Sequence, residues 1–216
     1  DVTAADVRRR ANSAFGRWRR GTVPEVSYPA PPTRTEREII IVDREGSSQT
    51  QIRVGNLAIA RGNDDWVPLQ VANQVLGGSA SSRLFMDLRE RRSLTYGAYS
   101  FVEERQQVGA FTVGAAVRTE VTAQAMEALL EHLVAISSVA PEEAETDLAR
   151  RYLSDSFPLS IDTPGKVAGL VSDLRGYGLP DDYWESFRTR IRSVTPEQSL
   201  AAARAHVHPS QMVVVL

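Results

Sequence analysis

Leu88-Arg89-Glu90-Arg91-Arg92-Ser93-Leu94-Thr95-Tyr96-Gly97-Ala98-Tyr99-Ser100 decides how this chain is read. Leu84, Phe85 and Leu88 recur at helical spacing, and Thr95 onward is rich in residues that favour strands, so the stretch predicts a helix end feeding a strand. Arg89 falls in the last helical turn, where a cation complements the negative end of the helix dipole. Tyr96 falls at the start of the strand. Seven residues across such a corner can bring a guanidinium and a phenol to one point. Together they would offer a carbonyl or an oxyanion a fixed pair of donors. On spacing alone, the helix-end role of Arg89 is sufficient reason for its presence.

Upstream, Ser81-Ser82 starts the helix that runs to Arg92, and Gly77-Gly78 stops the one before it. That earlier helix follows Asp64-Asp65 and carries Trp66, Leu69, Val71, Ala72 and Val75, with Pro68 tolerated in its first turn. Before it come a β-rich run over 37–43, a turn at Glu45-Gly46-Ser47, and a strand over 49–60. Downstream, 95–103 and 107–117 read as a hairpin. Helices follow over 121–137, 141–156, 163–177 and 180–192, and a short one is capped by Thr195 with Pro196 at its first position. Gln211-Met-Val-Val-Val-Leu216 closes the chain as a strand. Strands that cluster early, a block of helices and one returning strand predict an α+β fold: a mostly antiparallel sheet with helices packed on one face.

The beginning of the chain reads differently. Thr3 caps a helix carrying Val7, Ala11, Ala14 or Phe15, and Trp18. Pro24, Pro29, Pro31 and Pro32 then exclude helix interior and central strand, so 21–35 is expected to be a linker. A chain that opens at Asp1 on a helix cap and ends inside a strand reads as an excised piece of something longer. No leader is visible, and the compartment is left open between periplasm and cytoplasm.

Composition removes several functions. With 25 Lys+Arg against 27 Asp+Glu, the net charge of −2 argues against a dedicated nucleic-acid binder, which needs a basic excess. No apolar run approaches the ~20 residues of a membrane span. The absence of cysteine excludes disulfides, thiolate zinc sites, iron–sulfur clusters and cysteine nucleophiles.

Other candidate motifs read as structural. The three histidines are His132, His206 and His208. His132 has no partner four residues away and is expected on the polar edge of its helix. His206-Val-His208 would put two imidazoles on one side of a strand, but no nearby carboxylate completes a metal site. Glu142, Glu143, Glu145 and Asp147 complement the dipole of a helix N-terminus. Glu103-Glu104 is expected to be solvated at the hairpin tip. Arg8, Arg9, Arg10, Arg17, Arg19 and Arg20 make a solvated basic face. Gly77-Gly78-Ser79 leading into Ser81-Ser82 lacks the Gly-Lys-Ser/Thr ending of a P-loop, and reads as a glycine stop followed by a serine cap.

Leu76-Gly-Gly-Ser-Ala-Ser-Ser-Arg-Leu-Phe85, followed by the stretch from Leu88 to Tyr96, resembles the pitrilysin/insulinase family of zinc peptidases. That inverted-zincin group includes the mitochondrial processing peptidases, and the similarity is to its non-zinc half. Phe15-Gly-Arg-Trp18 with the proline linker resembles the end of a preceding zinc half. Gln49-Thr-Gln-Ile-Arg-Val-Gly55, Ser156-Phe-Pro-Leu-Ser160 and Val194-Thr-Pro-Glu197 fit the family pattern at the expected places, so the resemblance covers nearly the whole chain.

The resemblance implies one half of a clam-like, two-domain peptidase that closes around an unfolded peptide. It divides the chain into a helix over 1–20 (the tail of the zinc half), the linker over 21–35 and a substrate-binding domain over 36–216. Arg89 would clamp a substrate carbonyl, and the Tyr96 hydroxyl would help stabilise the tetrahedral oxyanion. Zinc is implied in the partner half, where it would activate water beside a glutamate base. No His-x-x-Glu-His exists in this sequence, so no metal ligands are assigned here and no independent catalysis is expected. The implied partners are a zinc-bearing half or subunit and an unfolded peptide, with a homo- or heterodimer possible. The alternative is a non-catalytic scaffold on the same fold, like the core proteins of respiratory complex III.

Overall fold

The computed structural model describes residues 2–24 and 26–216; Asp1, the expected opening, and Glu25, in the expected linker, lie outside the described residues. The chain divides into two units at Pro32/Thr33. In the first, α1 (Ala4–Phe15) begins where the Thr3 hydroxyl accepts from the Asp6 N–H at 3.2 Å. It ends before Trp18, whose ring meets Phe15 edge-on at 5.0 Å. None of its described residues is buried.

The second unit contains, in order, β1 (Glu38–Ile40), β2 (Gln49–Leu57), α2 (Trp66–Leu76), a wide helical segment (Phe85–Arg91), β3 (Thr95–Val102) and β4 (Ala110–Arg118). There follow α3 (Thr122–Ser138), α4 (Glu143–Ser156), α5 (Pro164–Gly176), α6 (Tyr183–Arg192), α7 (Pro196–His206) and β5 (Val213–Val215). The sheet order is β1-β5-β2-β4-β3. β5 inserts between β1 and β2, parallel to β1 (Ile39 opposite Val214) and antiparallel to β2 (Val54 opposite Val214). The remaining pairs are antiparallel. The sheet is therefore mostly antiparallel, as its sequence order predicts.

Alternation fixes the buried face. Ile52 and Val54 of β2, Phe111, Val113, Ala115 and Val117 of β4, and Val214 of β5 point into the core. α3 answers with Ala125, Ala128, Leu129, Leu133 and Ile136, one stripe at helical spacing. α2 is buried almost all round, between the sheet and the outer helices. Burial of each large aliphatic side chain contributes roughly 1.5–3 kcal/mol. Capping boxes start two of the later helices: Glu142 with Glu145 at α4, and Thr195 with Gln198, plus Pro196, at α7. β3 is an edge strand, and it joins the wide segment at the corner that the sequence marks.

Candidate functional site

The corner carries two departures from regular structure. Over Phe85–Arg91 the helix is a π-helix: the Arg92 N–H reaches the Asp87 carbonyl at 2.9 Å, five residues back. The sequence predicts an ordinary helix here. Such wide turns are rare and concentrate at functional sites. The segment ends on Ser93, whose φ of 53° lies in the left-handed region, and Leu94 N–H closes onto the Leu88 carbonyl at 2.8 Å.

The second departure is a bulge at the start of β3, where Thr95 faces Val117 but Ala98 faces Ala115. The Thr95 hydroxyl donates to the Ala116 carbonyl at 2.6 Å, in place of a ladder bond. Gly97 lies beneath the Tyr99 ring, where an added Cβ would sit 2.7 Å from the ring and displace it. The consequence falls on Tyr96. Ala98, Ser100 and Val102 are buried at alternate positions, and in a regular strand Tyr96 would share their face. The extra residue turns it outward, and it is 85% exposed.

Arg89 leaves the wide turn with its guanidinium 4.6 Å over the Tyr96 ring and 4.8 Å over that of Phe85. Its Nε lies 3.2 Å from the Glu90 carboxylate. A guanidinium carries five N–H donors in a rigid fork, so one ion pair leaves others unspent. Phe85 in turn packs on Tyr99 at 5.8 Å. The structure thus brings Arg89 and Tyr96 together, partly exposed, on a platform of aromatic rings.

Beneath them lies a polar network. Asp87 is buried on the wide turn; its carboxylate meets His132 Nε2 of α3 at 2.9 Å and Arg92 Nε at 3.0 Å. Arg92 also reaches Glu131 at 3.2 Å. Burial pushes the Asp87 carboxyl up, but the hydrogen bonds and charges of His132 and Arg92 outweigh it and hold it below the usual carboxylate range. His132, expected on the polar edge of its helix, has a specific partner there. It is half-buried and paired to a carboxylate far back in the chain.

A family model described as the peptidase M16 inactive domain matches residues 1–153. The chain belongs to this family. An uncharacterized zinc protease of Mycobacterium tuberculosis is 29% identical over 205 residues, covering 94% of this chain and 46% of the relative. The chain thus spans about half the length of such relatives. A crystal structure of a peptidase M16 inactive domain from Pseudomonas fluorescens superposes with a TM-score of 0.86 at 28% identity, covering 100% of this chain and 51% of that one. A chain of complex III from Candida albicans shares the fold alone, with a TM-score of 0.75 at 10% identity, over 99% of this chain and 52% of that one.

Several other candidates of this M16 inactive domain have structural partners. His206 ends α7 rather than lying on a strand, and its Nε2 sits 2.8 Å from Asp65, a carboxylate that the local sequence does not reveal. Glu145 does more than complement a helix dipole. Arg83 grips both its oxygens, at 2.8 and 2.6 Å, tying the segment after Gly78 to α4 and holding the Glu145 carboxyl below its ordinary range. Gly77 is a point of close approach, where a Cβ would lie 2.5 Å from the Ser100 amide that donates to the Gly77 carbonyl. The Ser82 hydroxyl donates back to the Ser79 carbonyl at 2.6 Å instead of capping a helix N–H.

The described residues offer no set of donors for zinc. His132 and His206 each spend Nε2 on a carboxylate, and among the described residues no group of three or more His, Asp or Glu could hold a metal.

One residue that the sequence analysis missed is Arg61. Only 2% exposed, it lies 4.8 Å from the Trp66 ring, 4.9 Å from Tyr183 and 5.7 Å from Trp184. It donates to the Tyr183 hydroxyl at 2.8 Å, while Glu104, expected to be merely solvated, stands 3.6 Å from its Nε. A single Arg beside a Gly-Asn-Asp-Asp run reads as a loop cation, so its burial carries no local signal.

Proposed function

We propose that this chain is the substrate-binding half of a zinc metalloendopeptidase, and that Arg89 and Tyr96 hold the backbone of an unfolded peptide beside zinc supplied by another half or subunit. The observation that carries the reading is the stack of Arg89 on Tyr96, 4.6 Å apart at an exposed corner. An extended peptide offers carbonyl oxygens as acceptors. The Arg89 fork donates to one of them, and the Tyr96 hydroxyl donates to the oxygen that gains negative charge as its carbon becomes tetrahedral. Stacking orders the guanidinium before substrate arrives, so less side-chain freedom is lost on binding. In this reading 1–20 is the tail of a zinc half, 21–35 a linker, and 36–216 the domain that faces the peptide.

The zinc belongs to the other half, and no residue of this chain is assigned to it. The fold shared with a complex III chain supports the alternative of a non-catalytic scaffold, which has no use for an exposed Arg–Tyr pair. The two separate in the intact protease that contains this domain. Arg89→Ala and Tyr96→Phe are each expected to lower kcat on a peptide substrate by ~10²-fold, the scale of a lost oxyanion donor. Unchanged turnover in both variants refutes the assignment and leaves the scaffold.

A further inference from the structure

We infer that His132 is a positioning residue for Arg89, acting through Asp87. This rests on the clamp reading above and names what holds the clamp in place. Arg89 sits inside a closed loop of bonds. The Arg92 N–H binds the Asp87 carbonyl at 2.9 Å, and the Arg92 Nε binds the Asp87 carboxylate at 3.0 Å. Main chain and side chain thus clasp the same turn at residues 87 and 92, with Arg89 between them. A wide turn is a rare helical form, and its persistence needs outside support. That support comes from α3, whose His132 binds the same carboxylate oxygen at 2.9 Å and fixes the turn to the core. Leu88 is fully buried beside Asp87, so the turn is held by a polar tie and an apolar one together.

The pair has the outward form of a His–carboxylate dyad, yet it is not placed to meet substrate. Asp87 is buried and its carboxylate is committed to His132 and Arg92, while the Arg89 guanidinium lies over the buried ring of Phe85 and the exposed ring of Tyr96. The chemistry therefore assigns it to orientation. Its loss frees the turn to rewind toward ordinary helical closure, which rotates Arg89 off the Tyr96 face. A misplacement on the scale of 1 Å is enough to cost up to ~10²-fold in rate.

Two measurements test the assignment. In this chain, the Arg89 side-chain protons lie over the Tyr96 ring and should carry an upfield ring-current shift in the NMR spectrum, with Tyr96→Ala giving the zero of the Tyr96 contribution above what the Phe85 ring leaves. His132→Ala is expected to move that shift most of the way to zero, and His132→Gln, which keeps a donor, to restore most of it. A His132→Ala spectrum with the wild-type shift overturns the inference. If His132→Ala fails to fold, Asp87→Asn removes the charge of the same tie and is read in the same way.

In the intact protease, His132→Ala is expected to lower kcat by ~10-fold or more with KM nearly unchanged, and to have no further effect in an Arg89→Ala background. Equal loss in both backgrounds would mean that His132 does not act through Arg89, and would overturn the inference. Unchanged turnover for Arg89→Ala itself would instead refute the catalytic role of the clamp, with the ring-current measurement still deciding whether His132 positions it.

Discussion

Replacing Arg61 should expose how much of the second unit depends on one buried cation. Its Nε has no hydrogen-bond partner, and the nearest carboxylate, on Glu104, is half-exposed and 3.6 Å away. The compensation for burial must come from the three rings within 5.7 Å and from the Tyr183 hydroxyl at 2.8 Å. Desolvated cation–π contact is worth about 2 kcal/mol or more, and a charge-assisted hydrogen bond about 1.5–3 kcal/mol. Relief of the buried charge offsets part of that, so Arg61→Ala is expected to cost about 3–4 kcal/mol. At roughly 2–4 °C per kcal/mol for a unit of this size, the melting temperature falls by about 6–16 °C.

The decisive comparison is between Arg61→Lys and Arg61→Met, followed by urea unfolding. Lysine keeps the charge but loses the planar face that stacks on Trp66 and Tyr183. Methionine keeps apolar volume and removes the charge. If the rings stabilise a planar cation in a dry site, Met should be at least as well tolerated as Lys. A lysine variant within about 0.5 kcal/mol of wild type, or an alanine variant costing less than about 1 kcal/mol, would refute the account.

Two further outcomes follow from backbone strain and from linkage. Ser93 holds φ at 53°, which costs a side-chain-bearing residue about 1–2 kcal/mol, whereas glycine gives up about 0.5–1 kcal/mol of unfolded-state entropy. Ser93→Gly should therefore raise stability by about 0.5–1 kcal/mol in thermal unfolding, and a loss would mean that the Ser93 side chain has a role of its own. The Asp87 carboxyl is held below its ordinary value of 3.8, so its contribution is present above that pH and is lost as pH falls through the lower folded value. Asp87→Asn should thus unfold at lower urea than wild type at pH 7, with the gap closing below about pH 3.8; a constant gap down to pH 2 would contradict the assignment.

The sheet and its helices were readable because their signals are local. Val113, Ala115 and Val117 alternate within one strand, and Thr195-Pro196 announces a helix within two residues. The change from helix to strand between Arg89 and Tyr96 was also readable, since helical periodicity stops and strand-forming residues begin there, whereas the pair itself was singled out by the family resemblance. What the sequence withheld depends on partners far along the chain. Asp87 gains its meaning only from His132, 45 positions later, and Arg61 from Tyr183, 122 positions later. The bulge at β3 rests on the Thr95 hydroxyl finding the Ala116 carbonyl, a pairing fixed only once the hairpin closes. Nothing in a run of residues states such a meeting.

Three departures from regular structure gather where the proposed clamp lies, and that clustering is itself an argument. A regular β3 would turn Tyr96 onto the face of Ala98, Ser100 and Val102, where burying an aromatic side chain contributes roughly 1.5–3 kcal/mol. The chain instead exposes Tyr96, holds Ser93 left-handed and winds Phe85–Arg91 wide. Two of these departures are tied down by side-chain bonds: the bulge by Thr95 on the Ala116 carbonyl, and the wide turn by Asp87 with His132 and Arg92. A fold selected for stability alone has no reason to retain three costs within a dozen residues. Their common product is a guanidinium stacked on an exposed phenol, and it is this pair, rather than the fold that it shares with a complex III chain, that weighs for a peptide-binding role.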